Sequence, residues 1–115
     1  EMFTQALSMQ PDNPILHANR SAAHLILNAP HLAAWDAYNC MRLNRGWFKG
    51  YYRMAQAVMG MAGNKYSTAL HYLELGMQLE SNPAMEDLKA DIERKREKWN
   101  LATLTESVSI VYVNK

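Results

Sequence analysis

Several kinds of residue and segment are scarce in this chain of 115 residues, and each scarcity excludes a class of protein. The single cysteine rules out an internal disulfide and fits a reducing compartment. Five glycines and four prolines are too few for a collagen-like or linker sequence. No apolar run approaches the roughly 20 residues of a membrane-spanning helix. The length suits one domain of ordinary globular composition.

The net charge is also small, at +1, but it hides an uneven distribution. Residues 13–73 carry six basic side chains against one acid, Asp36, a local net charge of +5, and the acidic residues lie on both flanks. A basic centre favours an anionic partner. On charge alone, a nucleic acid, a membrane surface and a carboxylate-bearing peptide all remain open.

An internal repeat of about 34 residues is present. Phe3, Ala37 and Leu73 align across it, and so do Ala6, Cys40 and Gly76. Because small residues recur where neighbouring helices approach and large apolar residues fill the gaps, this pattern predicts stacked helices. The predicted helices cover residues 2–10, 15–28, 30–43, 48–61, 66–80 and 84–99. The fold class is all-α, a solenoid of antiparallel helix hairpins in which the first helix lacks its partner.

The last predicted helix, 84–99, is expected to cap the solenoid. Met85, Leu88, Ile92 and Trp99 lie on one face, and acidic and basic residues cover the other. Residues 100–115 are predicted to form a tail or linker. Residues 107–113 have strand propensity, and a disordered linker is favoured there over a strand that pairs with a partner.

Two segments resemble the tetratricopeptide repeat, or TPR. NPILHANRSAAH at 13–24 is similar to the repeat opening NPxLYxNRAAAY, and WFKGYYR at 47–53 is similar to WxKGYYR in the next repeat. The resemblance covers residues 1–99, as a partial first repeat 1–13, repeats 14–47 and 48–83, and the capping helix 84–99. It points to the carboxylate-clamp type found in chaperone adaptors.

That resemblance implies a co-chaperone-like adaptor, not an enzyme, which binds the acidic C-terminal Glu-Glu-Val-Asp peptide of chaperones of the heat-shock protein 70 or 90 class. It implies a cytoplasmic location, with the nucleus as a second one, and no cofactor. Of five clamp residues in the family, three match here, as Asn19, Lys49 and Arg53. The lysine and asparagine of the first repeat would lie upstream of Glu1.

Helical geometry supports the same site independently. Lys49 and Arg53 are four residues apart, so their cations lie on one face, with Gln56 on that face and Tyr52 beside it. Two cations suit a terminal carboxylate and an acidic side chain, since charge-assisted hydrogen bonds are strong. On the helix 15–28, one face combines an amide donor with apolar residues; its members are Ile15, Asn19, Ala22 and Ile26.

One other function remains open, a structural TPR scaffold in a multiprotein assembly that makes no use of a carboxylate clamp.

Other functional chemistries lack support in the sequence. His17, His24 and His31 are seven residues apart, but His17 and His24 occupy packing positions and no metal motif accompanies them. Cys40 aligns with small packing residues, and Gly76 is expected to loosen the last helix pair by about 1 kcal/mol. Acidic residues between Lys89 and Lys98 argue against nucleic acid, and neither a nucleic-acid nor a membrane partner is expected.

Overall fold

The chain folds as a row of helices. A computed structural model describes the backbone of residues 2–113 and the side chains of residues 2–106. Over that part of the chain the regular structure is entirely helical, and the all-α prediction is confirmed. The six helices are α1 (Met2–Met9), α2 (Pro14–Ile26), α3 (Pro30–Leu43), α4 (Phe48–Gly60), α5 (Tyr66–Leu79) and α6 (Pro83–Val113). None of the described helices has a stretch long and apolar enough to cross a bilayer.

Local sequence signals set the ends of α2. The Asn13 side chain accepts hydrogen bonds from the backbone amides of Ile15 at 2.9 Å and Leu16 at 3.4 Å, which caps the first turn. Pro14 follows in the first helical position, where its missing N–H costs nothing. Just after the end of this helix, Asn28 has a φ of 57°, a left-handed conformation that asparagine tolerates and that commonly closes a helix.

The helices pair as predicted. α2 packs on α3 to form one hairpin, and α4 packs on α5 to form the next. The two hairpins are joined by the contact between α3 and α4, and α6 packs on α5. α1 contacts α2 and buries Leu7 against it. Met9 aligns with Leu43 and Leu79 across the repeat, which predicts a core position for it, but its side chain is 84% exposed and that prediction is wrong. Met9 is the last residue of α1, where Leu7 is the buried residue.

The core combines small residues at helix contacts with larger ones between them, as the repeat predicts. Its fully or nearly fully buried members are Ala37, Met54, Ala55, Val58, Ala69, Leu70, Leu73, Met85 and Ile92. Cys40 is also completely buried, and burial raises the pKa of its thiol to about 11. A thiol in that state is protonated at neutral pH and is a poor nucleophile.

The last helix is longer than predicted. The sequence predicts an end near residue 99 and a tail of strand propensity at 107–113, but α6 continues through Val113. Asn82 caps it by accepting a hydrogen bond from the Met85 amide at 3.0 Å. After Pro83 no proline or glycine interrupts the chain, so an established helix propagates through residues of modest helix propensity. Trp99 is 45% exposed and does not join the buried stripe of Met85 and Ile92. The domain boundary at residue 99 and the division into repeats stay predictions.

Gly76 allows α5 to lie directly against α4. A Cβ atom at this position would lie 2.9 Å from Tyr51 Cβ and 3.3 Å from the Phe48 carbonyl oxygen. The expectation that Gly76 loosens this helix pair is therefore wrong, because only glycine permits the observed approach.

We expect Gly76→Ala to destabilise the protein even though alanine has the higher helix propensity. The propensity gain of about 1 kcal/mol is outweighed by overpacking, which typically costs about 1–3 kcal/mol in a packed core. Urea denaturation would measure the difference. Gly46→Ala is the matched control, because its added Cβ would meet nothing closer than 3.9 Å. A Gly76→Ala protein more stable than wild type would contradict this account.

Candidate functional site

The predicted site residues divide between two helices that pack against each other, α2 and α4. On α2 the line predicted to contact a peptide is largely open to solvent. Ile15 is 56% exposed and Ile26 is 85% exposed, Asn19 is exposed, and Ala22 is half-buried. Large exposed aliphatic side chains in a line offer apolar surface to a partner.

On α4 the predicted residues touch one another. Lys49, Tyr52, Arg53 and Gln56 are all half-buried. The Lys49 ammonium lies 6.0 Å and the Arg53 guanidinium 5.6 Å from the centre of the Tyr52 ring. Arg53 donates a hydrogen bond of 2.9 Å to the Gln56 side-chain oxygen. The Lys49 ammonium lies nearer still to the Phe48 ring, at 5.2 Å from its centre. The two rings stabilise the cations, and Gln56 holds the guanidinium in place.

The two cations lack a bonded anion in the part of the chain that the structure describes. Neither Lys49 nor Arg53 has a carboxylate within ion-pair distance there, and Glu80 acts on Lys49 only at longer range. The buried Nε of Arg53 has no hydrogen-bond partner among the described residues. A buried donor without an acceptor costs free energy, so this side of the Arg53 guanidinium is not satisfied by the described residues.

The pKa values of both cations reflect this environment. The pKa of Lys49 is lowered from its ordinary value, first by burial and then by the positive charge of Arg53. Burial likewise lowers the pKa of Arg53. Two cations that are partly desolvated and repel each other form a local positive potential that favours a bound anion.

The predicted site residues of α2 and those of α4 do not form one hydrogen-bonded cluster. Within residues 2–106, the Asn19 side chain makes no hydrogen bond, and it is therefore not bonded to Lys49 or Arg53. The four α4 residues are brought together, whereas Ile15, Asn19, Ala22 and Ile26 share only a helix that packs on α4. That all eight form one peptide-binding site stays a prediction.

A cluster of charged side chains is buried between α2 and α3, and it was not predicted from the sequence. Asp36, which is 1% exposed, accepts hydrogen bonds from Arg20 Nε at 2.9 Å and from an Arg20 terminal nitrogen at 2.7 Å. His17 Nδ1 lies 3.2 Å and His24 Nε2 3.4 Å from the same carboxylate. His17 Nε2 lies 2.9 Å from the Pro11 carbonyl oxygen.

This cluster ties α2 to α3. His17, Arg20 and His24 share a face of α2 because they are three and four residues apart, and Asp36 is the only acid among residues 13–73. Those two facts were the signal that could have found the cluster. His31 lies in the first turn of α3. No group of three His, Cys, Asp or Glu side chains among the described residues has a metal-site arrangement.

Comparison with known proteins supports the fold. No family model matches the chain. The Hsp70-Hsp90 organizing protein of Triticum aestivum is 37% identical over 90 residues, which are 78% of this chain and 15% of that protein. The chain spans less than a third of the length of the curated relatives it matches.

Two solved structures have the same architecture. The Sgt2 TPR domain of Aspergillus fumigatus superposes with a TM-score of 0.78 at 33% identity, over 85% of this chain and 66% of that one. The first TPR of Spaghetti (RPAP3), solved bound to the HSP90 peptide SRMEEVD, has a TM-score of 0.73 at 26% identity, over 81% of this chain and 73% of that one. The repeat motifs, the stacked hairpins and these similarities agree, and the chain belongs to the tetratricopeptide-repeat family.

Proposed function

We propose that this chain is a co-chaperone-like adaptor module that binds the acidic C-terminal peptide of a chaperone of the heat-shock protein 90 or 70 class. The observation that carries the proposal is the Lys49–Arg53 pair on α4. Both cations are half-buried beside the Tyr52 ring, Lys49 also lies beside Phe48, and neither cation is bonded to a carboxylate of the described chain.

In this proposal each group has a defined role. Lys49 and Arg53 bind the terminal carboxylate and an acidic side chain of the peptide, through charge-assisted hydrogen bonds. Gln56 orients Arg53 by accepting its hydrogen bond, and Tyr52 supports both cations. Asn19 adds a neutral amide donor from the neighbouring helix.

The apolar line of α2 extends the proposed site. Ile15, Ala22 and Ile26 offer aliphatic surface to the non-acidic residues of the peptide. Contacts of that kind supply area and register, while the charged end of the peptide supplies specificity.

The comparisons support the identity of the partner. The first TPR of Spaghetti (RPAP3) was solved with an HSP90 peptide that ends in Glu-Glu-Val-Asp, and the wheat relative is named for organizing Hsp70 and Hsp90. The proposed role requires binding and no reaction, and the one thiol of the chain is buried. The cytoplasmic and nuclear locations implied by the family resemblance stay predictions.

The test is calorimetry with two peptides that end in Glu-Glu-Val-Asp, one with a free C-terminal carboxylate and one amidated. We expect amidation to weaken binding by about 30-fold or more, because the hydrogen bonds to that anion contribute roughly 2 kcal/mol. Both peptides keep the same side chains, so the difference isolates the terminal charge. Equal affinity for the two peptides would overturn the proposal and favour a TPR scaffold that makes no use of a carboxylate clamp.

A further inference from the structure

A pair of aromatic rings lies exposed on the outer side of α3. Trp35 is 60% exposed and Tyr38 is 48% exposed, and their rings stack with centroids 5.9 Å apart and planes 22° apart. The opposite side of the same helix is completely buried at Ala33 and Ala37. The stack is therefore a surface feature, and exposed Trp and Tyr side chains are the residue types that contribute most to protein interfaces.

A cavity of about 300 Å³ adjoins this stack, between the end of α3 and the start of α4. It is lined by Tyr38, Met41, Arg42, Arg45 and Tyr51. Gly50 makes the arrangement possible, because a Cβ there would lie 2.8 Å from the Met41 backbone nitrogen. The Tyr51 hydroxyl donates a hydrogen bond of 3.1 Å to the Arg45 carbonyl oxygen, which holds the connecting turn against α4.

The cavity is positively charged. Its lining includes two exposed arginines and no acid. Arg42 donates to the Asn39 side-chain oxygen at 3.3 Å, and neither Arg42 nor Arg45 forms an ion pair with another described residue. Arginine presents planar, paired N–H donors that match a carboxylate, and the tyrosine rings and Met41 supply apolar walls beside them.

This surface is separate from the clamp residues. Tyr51 follows Lys49 by two positions, which places it about 200° further around α4. The side of α4 that carries Lys49 and Arg53 is therefore turned away from the cavity. A ligand at one surface leaves the other accessible.

We propose that the Trp35–Tyr38 stack and the adjoining cavity form a second docking surface, for an acidic protein segment in which carboxylates lie next to an aromatic or large aliphatic residue. Arg42 and Arg45 bind the carboxylates, and the apolar side chain packs on Tyr38 and Met41. Charge complementarity identifies the occupant. Two arginines around one small cavity suit a few carboxylates beside an apolar group, whereas a nucleic acid requires an extended row of cations.

The experiment is a selection from a displayed library of random 12-residue peptides fused at both ends, so that no free C-terminus is present. The target is the Lys49→Ala/Arg53→Ala protein, in which the clamp is removed. We expect the selected peptides to be enriched in Asp and Glu beside Trp, Phe or Leu. A selected peptide, synthesised with an amidated C-terminus, should then bind wild-type protein and lose about tenfold or more in affinity with Arg42→Ala/Arg45→Ala, measured by fluorescence anisotropy.

Lys65→Ala is the matched control, since it removes an exposed cation elsewhere and should leave the affinity unchanged. Circular dichroism would verify that each variant keeps its helices. The proposal is overturned if the selection shows no enrichment in acidic residues, or if Arg42→Ala/Arg45→Ala binds as wild type does. It is also overturned if sedimentation shows that the wild-type chain dimerises and that the same double variant is monomeric, because a second copy would then occupy the surface.

Discussion

Lys49→Ala and Arg53→Ala are each expected to weaken the binding of a peptide ending in Glu-Glu-Val-Asp by about 2 kcal/mol, roughly a 30-fold rise in Kd. Each substitution removes a charge-assisted contact to a peptide carboxylate. Asn19→Ala should cost less, about 1 kcal/mol, because a neutral amide makes a weaker hydrogen bond. Calorimetry on the three variants with the free-acid peptide would measure these differences.

The dependence of peptide affinity on salt concentration provides an independent measure of the same charged contacts. Since two full charges bind near the surface, wild-type affinity should fall as ionic strength rises, and the Lys49→Ala/Arg53→Ala protein should show a smaller dependence. Lys65→Ala, which removes an exposed lysine outside the site, should behave as wild type in both assays. Unchanged affinity in the double variant would show that the peptide binds elsewhere.

Asp36→Ala is expected to lower the free energy of unfolding by about 3–5 kcal/mol, a larger loss than that from Gly76→Ala. The Asp36 carboxylate is completely buried and accepts two hydrogen bonds from Arg20, and two histidine nitrogens face it. Its removal takes away the buried acceptor of two Arg20 hydrogen bonds. The measurement is the free energy of unfolding from urea denaturation.

Asp91→Ala is the matched control. Asp91 also pairs with two cations, Arg94 at 2.7 Å and Lys95 at 3.1 Å, but this cluster is on the surface of α6. Exposed ion pairs contribute about 0–1 kcal/mol, so the two aspartates should differ severalfold. Asp36→Asn, which keeps one oxygen acceptor, gives a folded variant if Asp36→Ala fails to fold. A loss at Asp36 no larger than that at Asp91 would contradict a stabilising role for the buried cluster.

Features that depend on neighbouring residues were predictable from the sequence. The spacing of Lys49 and Arg53 places them on one face of a helix whatever the rest of the chain does. Asn13 with Pro14, and Asn82 with Pro83, identify helix starts because capping is a contact between residues two or three apart. The 34-residue repeat predicted the stacked hairpins, since each repeat buries its apolar face only against the next one.

Features that depend on contacts between distant residues were not predictable from the sequence. Arg20 and Asp36 are 16 residues apart, and their pairing follows from how α2 lies on α3. The net charge of +5 in residues 13–73 is therefore carried by the other basic side chains, which are Arg42, Arg45, Lys49, Arg53 and Lys65. The strand propensity of 107–113 was overruled by the helix that precedes it, because propagation of an existing helix costs less than starting a new element.

The sequence by itself determined the helices as far as residue 99, their order, their repeat phase and the candidate clamp pair Lys49 and Arg53, because helical periodicity and capping are local properties of the chain. Only the tertiary structure decided which charges are neutralised and which are not. Arg20 is neutralised by Asp36 across a helix contact, whereas Arg42, Arg45, Lys49 and Arg53 keep their charges without a bonded carboxylate among the described residues. The physical reason is that an ion pair forms between side chains brought within about 4 Å, and that distance is set by packing and not by position in the sequence.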